Sequence, residues 1–346
     1  MLTKRQEMIL SLIRQEGEVT RIQIQQALEP LFERCSKVTI LRDLETLIRA
    51  GFIIKHGATK AARYTLPANH RLLESIDVDS YFKTEQRPLI CPTFNFEVLP
   101  ALTDLLNVQE RAQYAALNSR YLAHRERMSP TVLRKEMERL TVELAWKSSH
   151  LEGNTYTLLE TERLLKEQVA AHGRSTAETL MIINHKTALD CIRSRPEGYR
   201  EISLRKIEDL HRLLMTNLGV NCGIRKTLVG IIGTDYRPLD NALQITKALT
   251  LASELINRTV NPLEKALIAV LLVSYIQPFE DGNKRTARLL GNAMLLASDY
   301  CPLSYKSVDE IEYKKALILF YEQNKLAYFK ELFLEQYAQA VDKYFG

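Results

Sequence analysis

The sequence predicts a mainly α-helical protein in two parts, a small mixed N-terminal module and a large all-helical body. Three observations carry this. Apolar residues recur at intervals of three and four over most of the 346 positions. Thirteen glycines and eleven prolines are sparse for that length, which suits a folded helical chain. Short β-branched runs beside turn residues occur only near 52–66 and 223–239. The length allows two domains. Five cysteines, odd in number and without a CxxC pair, speak for reduced thiols and against a disulfide framework or zinc site. The longest apolar stretch, 266–276, is too short to span a bilayer, and the N-terminus lacks an apolar signal core. The expected location is cytoplasmic, with no membrane partner.

The net charge of +5 is unevenly placed. Residues 1–66 carry eleven Lys/Arg against seven Asp/Glu, leaving 36 against 35 for the rest. A basic module on a neutral body suggests that one part meets a polyanion. Within it, residues 3–15 present Met8, Ile9, Leu12 and Ile13 on one side, with Thr3 as N-cap and Gly17 as stop. A second helix covers 21–28 and a third runs from a Ser36 cap to Ala50, with Val38, Leu41, Leu44, Leu47 and Ile48 as its apolar face. Residues 52–54 and 63–66 read as two strands around a basic tip. Three helices and a hairpin make a winged helix-turn-helix, and the run from Ser36 to Ile53 resembles the recognition helix and first wing strand of DeoR-like DNA-binding domains. The resemblance implies DNA as a partner, with Ser36, Lys37, Thr39 and Arg42 in the major groove and Lys55, Lys60 and Arg63 on backbone phosphates. Seven acidic residues keep a protein-contact module as the alternative. Specific DNA binding by one such unit would call for a homodimer.

Residues 67–93 lose periodicity and hold three prolines, and read as a linker to a body over 94–346. A long helix from Pro130 reaches Glu152, where Gly153 suits a helix stop. Helices follow over 176–194, over 203–218 behind a Ser203 cap, over 263–276, and beyond 285, 308 and 328. His185 and His211 lack a second histidine at metal spacing and receive no metal role. His150 reads as a packing or surface residue. Tyr305 and Tyr313 are either core or the border of an adenine pocket.

Residues 277–288, Gln-Pro-Phe-Glu-Asp-Gly-Asn-Lys-Arg-Thr-Ala-Arg, concentrate the chemistry. A buried helix ends at Pro278, a loop follows, and a new helix is expected near Arg285. Backbone N–H groups at a helix start, together with the dipole, favour an anion. Gly282 permits close approach, and Asn283 tolerates a left-handed turn. Arg285 and Arg288, three apart, project from one side. Asp281 is placed to hold a hard cation beside phosphate oxygens, as Mg²⁺ prefers. The ligand implied is a polyphosphate. The chain has no Walker A pattern and no recognisable Ser/His/Asp set.

That stretch resembles the signature of the Fic (Fido) family, His-x-Phe-x-Asp/Glu-Gly-Asn-Gly/Lys-Arg-x-x-Arg. Phe279, Asp281, Gly282, Asn283, Lys284, Arg285 and Arg288 match it. Gln277 stands where the family has the histidine that acts as general base, and an amide cannot accept that proton near neutral pH. Upstream, Ser148, Glu152 and Gly153 resemble the family's inhibitory motif, which implies that Glu152 pairs with Arg288 and displaces a γ-phosphate. Residues 223–239 resemble the flap hairpin that holds a target segment by strand pairing, with Ile232, Gly233, Thr234 and Tyr236 as contacts. The resemblance implies ATP and Mg²⁺ as cofactors. Two functions stay open: a nucleotide-binding transcription regulator with an impaired Fic domain, or a slow adenylyltransferase or de-AMPylase in which Glu152 orients a water.

Overall fold

A computed structural model describes residues 2–32, 35–58, 62–84 and 86–345. The chain forms two compact units: Met1–Leu73 with Thr103–Ala115, and Glu74–Leu102 with Ala116–Gly346. The boundary falls earlier than the expected start at 94. Residues 67–93, read as a linker of limited structure, carry α4 (His70–Leu73) in the first unit and α5 (Val78–Phe82) in the second.

In the first unit α1 (Lys4–Glu16) begins at a Thr3–Gln6 capping box and ends at Gly17, whose φ of 77° suits a residue without Cβ. Strand β1 (Glu18–Thr20) is short enough to have left no periodic signal in the sequence. Helix α2 (Arg21–Leu28) is capped by Thr20, and α3 (Lys37–Arg49) by Ser36. Strands β2 (Ile54–His56) and β3 (Arg63–Thr65) complete an antiparallel sheet in the order β1-β3-β2, with Val19 opposite Tyr64 and Lys55 opposite Tyr64. Its core is Ile9, Ile13, Ile24, Ile40, Leu44, Leu47 and Tyr64. Ile40 faces inward and Val38, expected in the core, is 60% exposed, because the apolar stripe runs out of the assumed phase. Asp43 is buried and takes hydrogen bonds from Arg5 and Gln6, tying α3 to α1.

The second unit is helical. After α6 (Val108–Arg127), whose residues up to Ala115 belong to the first unit, come α7 (Pro130–His150), capped by Ser129, then α8 (Leu158–Glu167), α9 (Thr176–Ser194) and α10 (Leu204–Leu214), which stops four residues short of the expected end. Helices α11 (Ala242–Arg258), α12 (Pro262–Ile276), α13 (Asn283–Ala297), α14 (Glu310–Gln323) and α15 (Ala327–Phe345) follow. Helix α12 is buried on every face from Ala266 to Ile276, as a run that is apolar but for Ser274 requires. Helix α13 lies against it so closely that a Cβ on Gly291 would come 2.6 Å from Val270 Cγ2. The expected flap hairpin is absent: residues 223–239 form no strand ladder, only one isolated bridge, Thr93 to Arg237.

Candidate functional site

Helix α12 ends at Gln277, whose left-handed φ of 51° turns the chain out of the helix. The loop beyond is held by one side chain. Asn283 Oδ1 accepts from the Phe279 amide and its Nδ2 donates to the Phe279 carbonyl, both at 2.8 Å. Asn283 is therefore already helical, and the left-handed residue is Gly282, at φ 77°. The new helix starts two residues earlier than expected. Gly282 is doubly constrained, since a Cβ there would stand 2.4 Å from Met215 Cε.

Helix α13 carries both arginines into the interior, where they are among the largest fully buried side chains. Arg285 Nη2 donates to Asp281 Oδ2 at 2.9 Å, while its Nε and Nη1 have no partner. Arg288 Nε donates to Ser148 Oγ at 2.9 Å, and its Nη2 donates to the Ser148 carbonyl at 2.7 Å and to Glu152 Oε1 at 2.9 Å. Arg288 Nη1 is unpartnered. Burial draws the Arg285 guanidinium below its ordinary value. At Arg288 burial acts the same way, but Glu152 and then Tyr313 outweigh it, and the net shift is upward. The structure thus brings Ser148, Glu152 and Arg288 together, with Lys284 Nζ 3.8 Å from the other Glu152 oxygen. Gly153, at φ 91°, turns the chain just after the carboxylate. Tyr305 and Tyr313 are buried with unpartnered hydroxyls, and Arg288 lies over the Tyr313 ring at 5.8 Å.

Two histidines belong to this neighbourhood although their spacing gave no sign of it. His185, on α9, is fully buried with neither ring nitrogen partnered, and burial, with Arg288 and Arg285 nearby, pushes it down to about 3. His211, on α10, stacks on Phe279 at 3.7 Å between ring centroids and meets the Asp281 carbonyl through Nε2 at 3.0 Å. Since that carbonyl only accepts, Nε2 carries the hydrogen. Burial pushes His211 down to about 4, against the upward pull of that bond. Both imidazoles are neutral at physiological pH.

Gln277 donates from Nε2 to the Ser274 carbonyl at 2.7 Å, satisfying one of the orphan acceptors at the end of α12. Its own carbonyl accepts from Arg225 Nε at 2.7 Å. Arg225, a residue sequence reasoning passed over, also donates to the carbonyls of Thr227 and Leu239. That is why residues 223–239 fold as a pinned loop: the guanidinium takes carbonyls that a ladder would have used. Of the four expected flap contacts, Ile232 is 98% exposed and Gly233, at φ 88°, accepts from Arg87 at 2.6 Å. Thr234 Oγ1 accepts from the Tyr236 amide at 3.1 Å. Tyr236 is buried and donates to the Tyr275 carbonyl at 2.9 Å, so it holds the loop down rather than offering itself to a target.

Asp281 is 63% exposed, accepts from the Gly282 amide at 2.6 Å and pairs with Arg285. Among the described residues no group of three His, Cys, Asp or Glu side chains could hold a metal. A nucleotide's phosphates fit the unpartnered guanidinium nitrogens beside a helix N-terminus. Mg²⁺ fits only as an ion shared with those phosphates, to which Asp281 would lend one carboxylate.

In the first unit Ser36 serves as the α3 cap, accepting from the Thr39 amide at 3.3 Å, and Thr39 Oγ1 lies 2.9 Å from its hydroxyl. Lys37 and Arg42 stand exposed on α3, and Lys55 on β2. Arg63 is exposed but paired with Glu18 at 2.7 Å. Lys60 lies outside the described residues.

Residues 201–295 match the Fic/DOC family. The chain is 32% identical over 179 residues to the protein adenylyltransferase Fic of Drosophila erecta, covering 51% of this chain and 36% of that protein. It is 29% identical over 192 residues to the protein adenylyltransferase fic-1 of Caenorhabditis elegans, covering 54% and 38%. The chain thus spans little more than a third of the length of these curated relatives. Among solved structures, C. elegans Fic-1 superposes with a TM-score of 0.59 at 23% identity, covering 68% of this chain and 72% of that one. A Fic-domain signalling protein from Bacteroides thetaiotaomicron gives 0.58 at 20%, covering 67% and 94%. Likeness at such identity speaks to the fold. The chain carries a domain of the Fic/DOC family and is related to protein adenylyltransferases.

Proposed function

We propose that the protein binds an ATP-like nucleotide at the loop between α12 and α13, that Glu152 inhibits the site, and that the absent general base leaves it a regulator coupled to a DNA-binding module. One observation carries this reading: beside two buried arginines with unpartnered N–H nitrogens, the residue in the base position is an amide already donating to the Ser274 carbonyl. Bound ATP would supply the transferable adenylyl group. Arg285, Arg288 and the first amides of α13 would hold its phosphates, and Gln277 would have no means of taking a proton from an attacking hydroxyl. Glu152, on Arg288, occupies the donor that would otherwise receive a phosphate oxygen. General-base removal costs ~10²–10⁴ in rate.

The N-terminal unit supports DNA as the partner. Its helix order with a three-stranded antiparallel sheet suits a winged helix-turn-helix, and Lys37 and Arg42 are exposed on α3. A second reading, a slow adenylyltransferase or de-AMPylase acting on a protein, is favoured by the names of the relatives. The two are separated with α-labelled ATP and Mg²⁺ on Glu152→Gly, with and without Gln277→His. Label on protein only when the histidine is restored supports the regulator. Transfer by Glu152→Gly alone supports the enzyme.

A further inference from the structure

Glycine at 282 leaves one choice open that sterics do not make. The peptide unit between Asp281 and Gly282 is trans, so its carbonyl and its N–H point in opposite directions. A residue without Cβ tolerates either orientation of that unit. With the N–H outward, the loop offers an anion one more donor at the start of α13. Turned over, it offers a carbonyl oxygen, which repels an anion. Hydrogen bonds must therefore choose. On the inner side, His211 Nε2 meets the Asp281 carbonyl at 3.0 Å. On the outer side, the Gly282 amide donates to Asp281 Oδ1 at 2.6 Å. The outer bond is the less durable of the two. Asp281 is 63% exposed, and its carboxylate is the group that would turn to an ion shared with phosphates. Once drawn away, it frees the amide for a phosphate oxygen and leaves His211 to hold the carbonyl.

The histidine is itself fixed. Its ring lies on Phe279 with 3.7 Å between centroids and 11° between planes. Asn283 grips the Phe279 amide and carbonyl together, so the stack has a rigid base. The stack sets the plane of the imidazole and aims Nε2 at the carbonyl, while Nδ1 has no partner among the described residues. We infer that His211 is a positioning residue for a polyphosphate: its Nε2–H holds the Asp281 carbonyl inward and so keeps the Gly282 N–H turned toward the phosphates. The role rests on the nucleotide reading of this loop. It involves no contact between His211 and the ligand and no proton transfer. A histidine kept only for its packing on Phe279 is replaced best by another flat ring. One kept for its donor is replaced best by glutamine, whose side-chain N–H reaches about as far as Nε2.

The experiment uses the whole chain carrying Glu152→Gly, alone and with His211→Phe or His211→Gln added. ATP–Mg²⁺ affinity is read by calorimetry, adenosine binding by ligand-observed NMR, and stability by thermal melts. His211→Phe keeps the stack and loses the donor. It should weaken ATP by about tenfold or more, the factor that a hydrogen bond to a charged group is worth, while adenosine binding stays as it was. His211→Gln keeps the donor and loses the stack. It should melt lower yet bind ATP nearly as the Glu152→Gly protein does, so that affinity runs against packing. If His211→Phe binds ATP as well as the Glu152→Gly protein, or if ATP and adenosine weaken together in step with the melts, the positioning role is overturned and His211 only packs. If the Glu152→Gly protein binds no ATP, the nucleotide reading falls and this role with it.

Discussion

Burying two imidazoles beside two guanidiniums makes the site sensitive to acid. His185 and His211 are neutral in the folded protein, with pKa values near 3 and near 4, against about 6.5 in an unfolded chain. Between those limits the unfolded state binds more protons, so stability rises with pH and levels off above the unfolded value. Acidification from pH 6.5 toward 4 should lower unfolding free energy by roughly 1.4 kcal/mol per pH unit for each histidine. Denaturant unfolding of wild type and His185→Phe between pH 4.5 and 7.5 checks this. Parallel curves would mean that His185 titrates normally. At the same scale, Arg288→Ala should abolish detectable ATP binding, because Nη1 is an unpartnered donor and the change also strands Glu152.

Elements act through how closely they approach. Helices α12 and α13 meet at Gly291, where a Cβ would be 2.6 Å from Val270 Cγ2 and 3.4 Å from the Ala266 carbonyl. Gly291→Ala should destabilise by about 1–3 kcal/mol through overpacking, despite the better helix propensity of alanine. A thermal melt at or above the wild-type midpoint would refute it. The loop over 223–239 depends on one guanidinium in place of a ladder. Arg225→Met should leave the carbonyls of Gln277, Thr227 and Leu239 without this donor and expose the loop to protease, at a stability cost of about 2–4 kcal/mol. Limited proteolysis mapped by mass spectrometry reads the outcome, and unchanged cleavage within 226–238 would show that Tyr236 alone suffices.

At the scale of the whole molecule the proposed partner is DNA, and the charge is concentrated for it in residues 1–66. Binding to duplex DNA should weaken steeply with salt, and Lys37→Ala with Arg42→Ala should reduce the salt slope by about 0.9 for each phosphate that is no longer neutralised. Arg63→Ala should matter less, since Arg63 already pairs with Glu18. Fluorescence anisotropy from 50 to 300 mM salt decides; a slope that ignores Lys37 and Arg42 would point to protein contacts for this unit. No helix among the described residues is long and apolar enough to cross a membrane.

The sequence by itself determined many of the helices and the order of the chemistry, while α6, α8 and α11 went unread. Thr3, Ser36 and Ser203 cap as their types demand, and α12 reads as buried because its run from 266 to 276 is almost wholly apolar. The run from Phe279 to Arg288 raised the expectation of an anion loop, since local spacing alone puts both arginines on one helix start. Only the tertiary structure decided what surrounds them. His185, His211, Arg87 and Arg225 reach the site or its loop from distant segments, and no local period encodes such a meeting. The hairpin expected over 223–239 failed for a related reason. Strand propensity there is real but weak, and Arg225 in a buried position overrides it by satisfying the same carbonyls. Gln277 shows both halves: its identity says only that an amide stands there, and the fold shows that this amide donates to the Ser274 carbonyl.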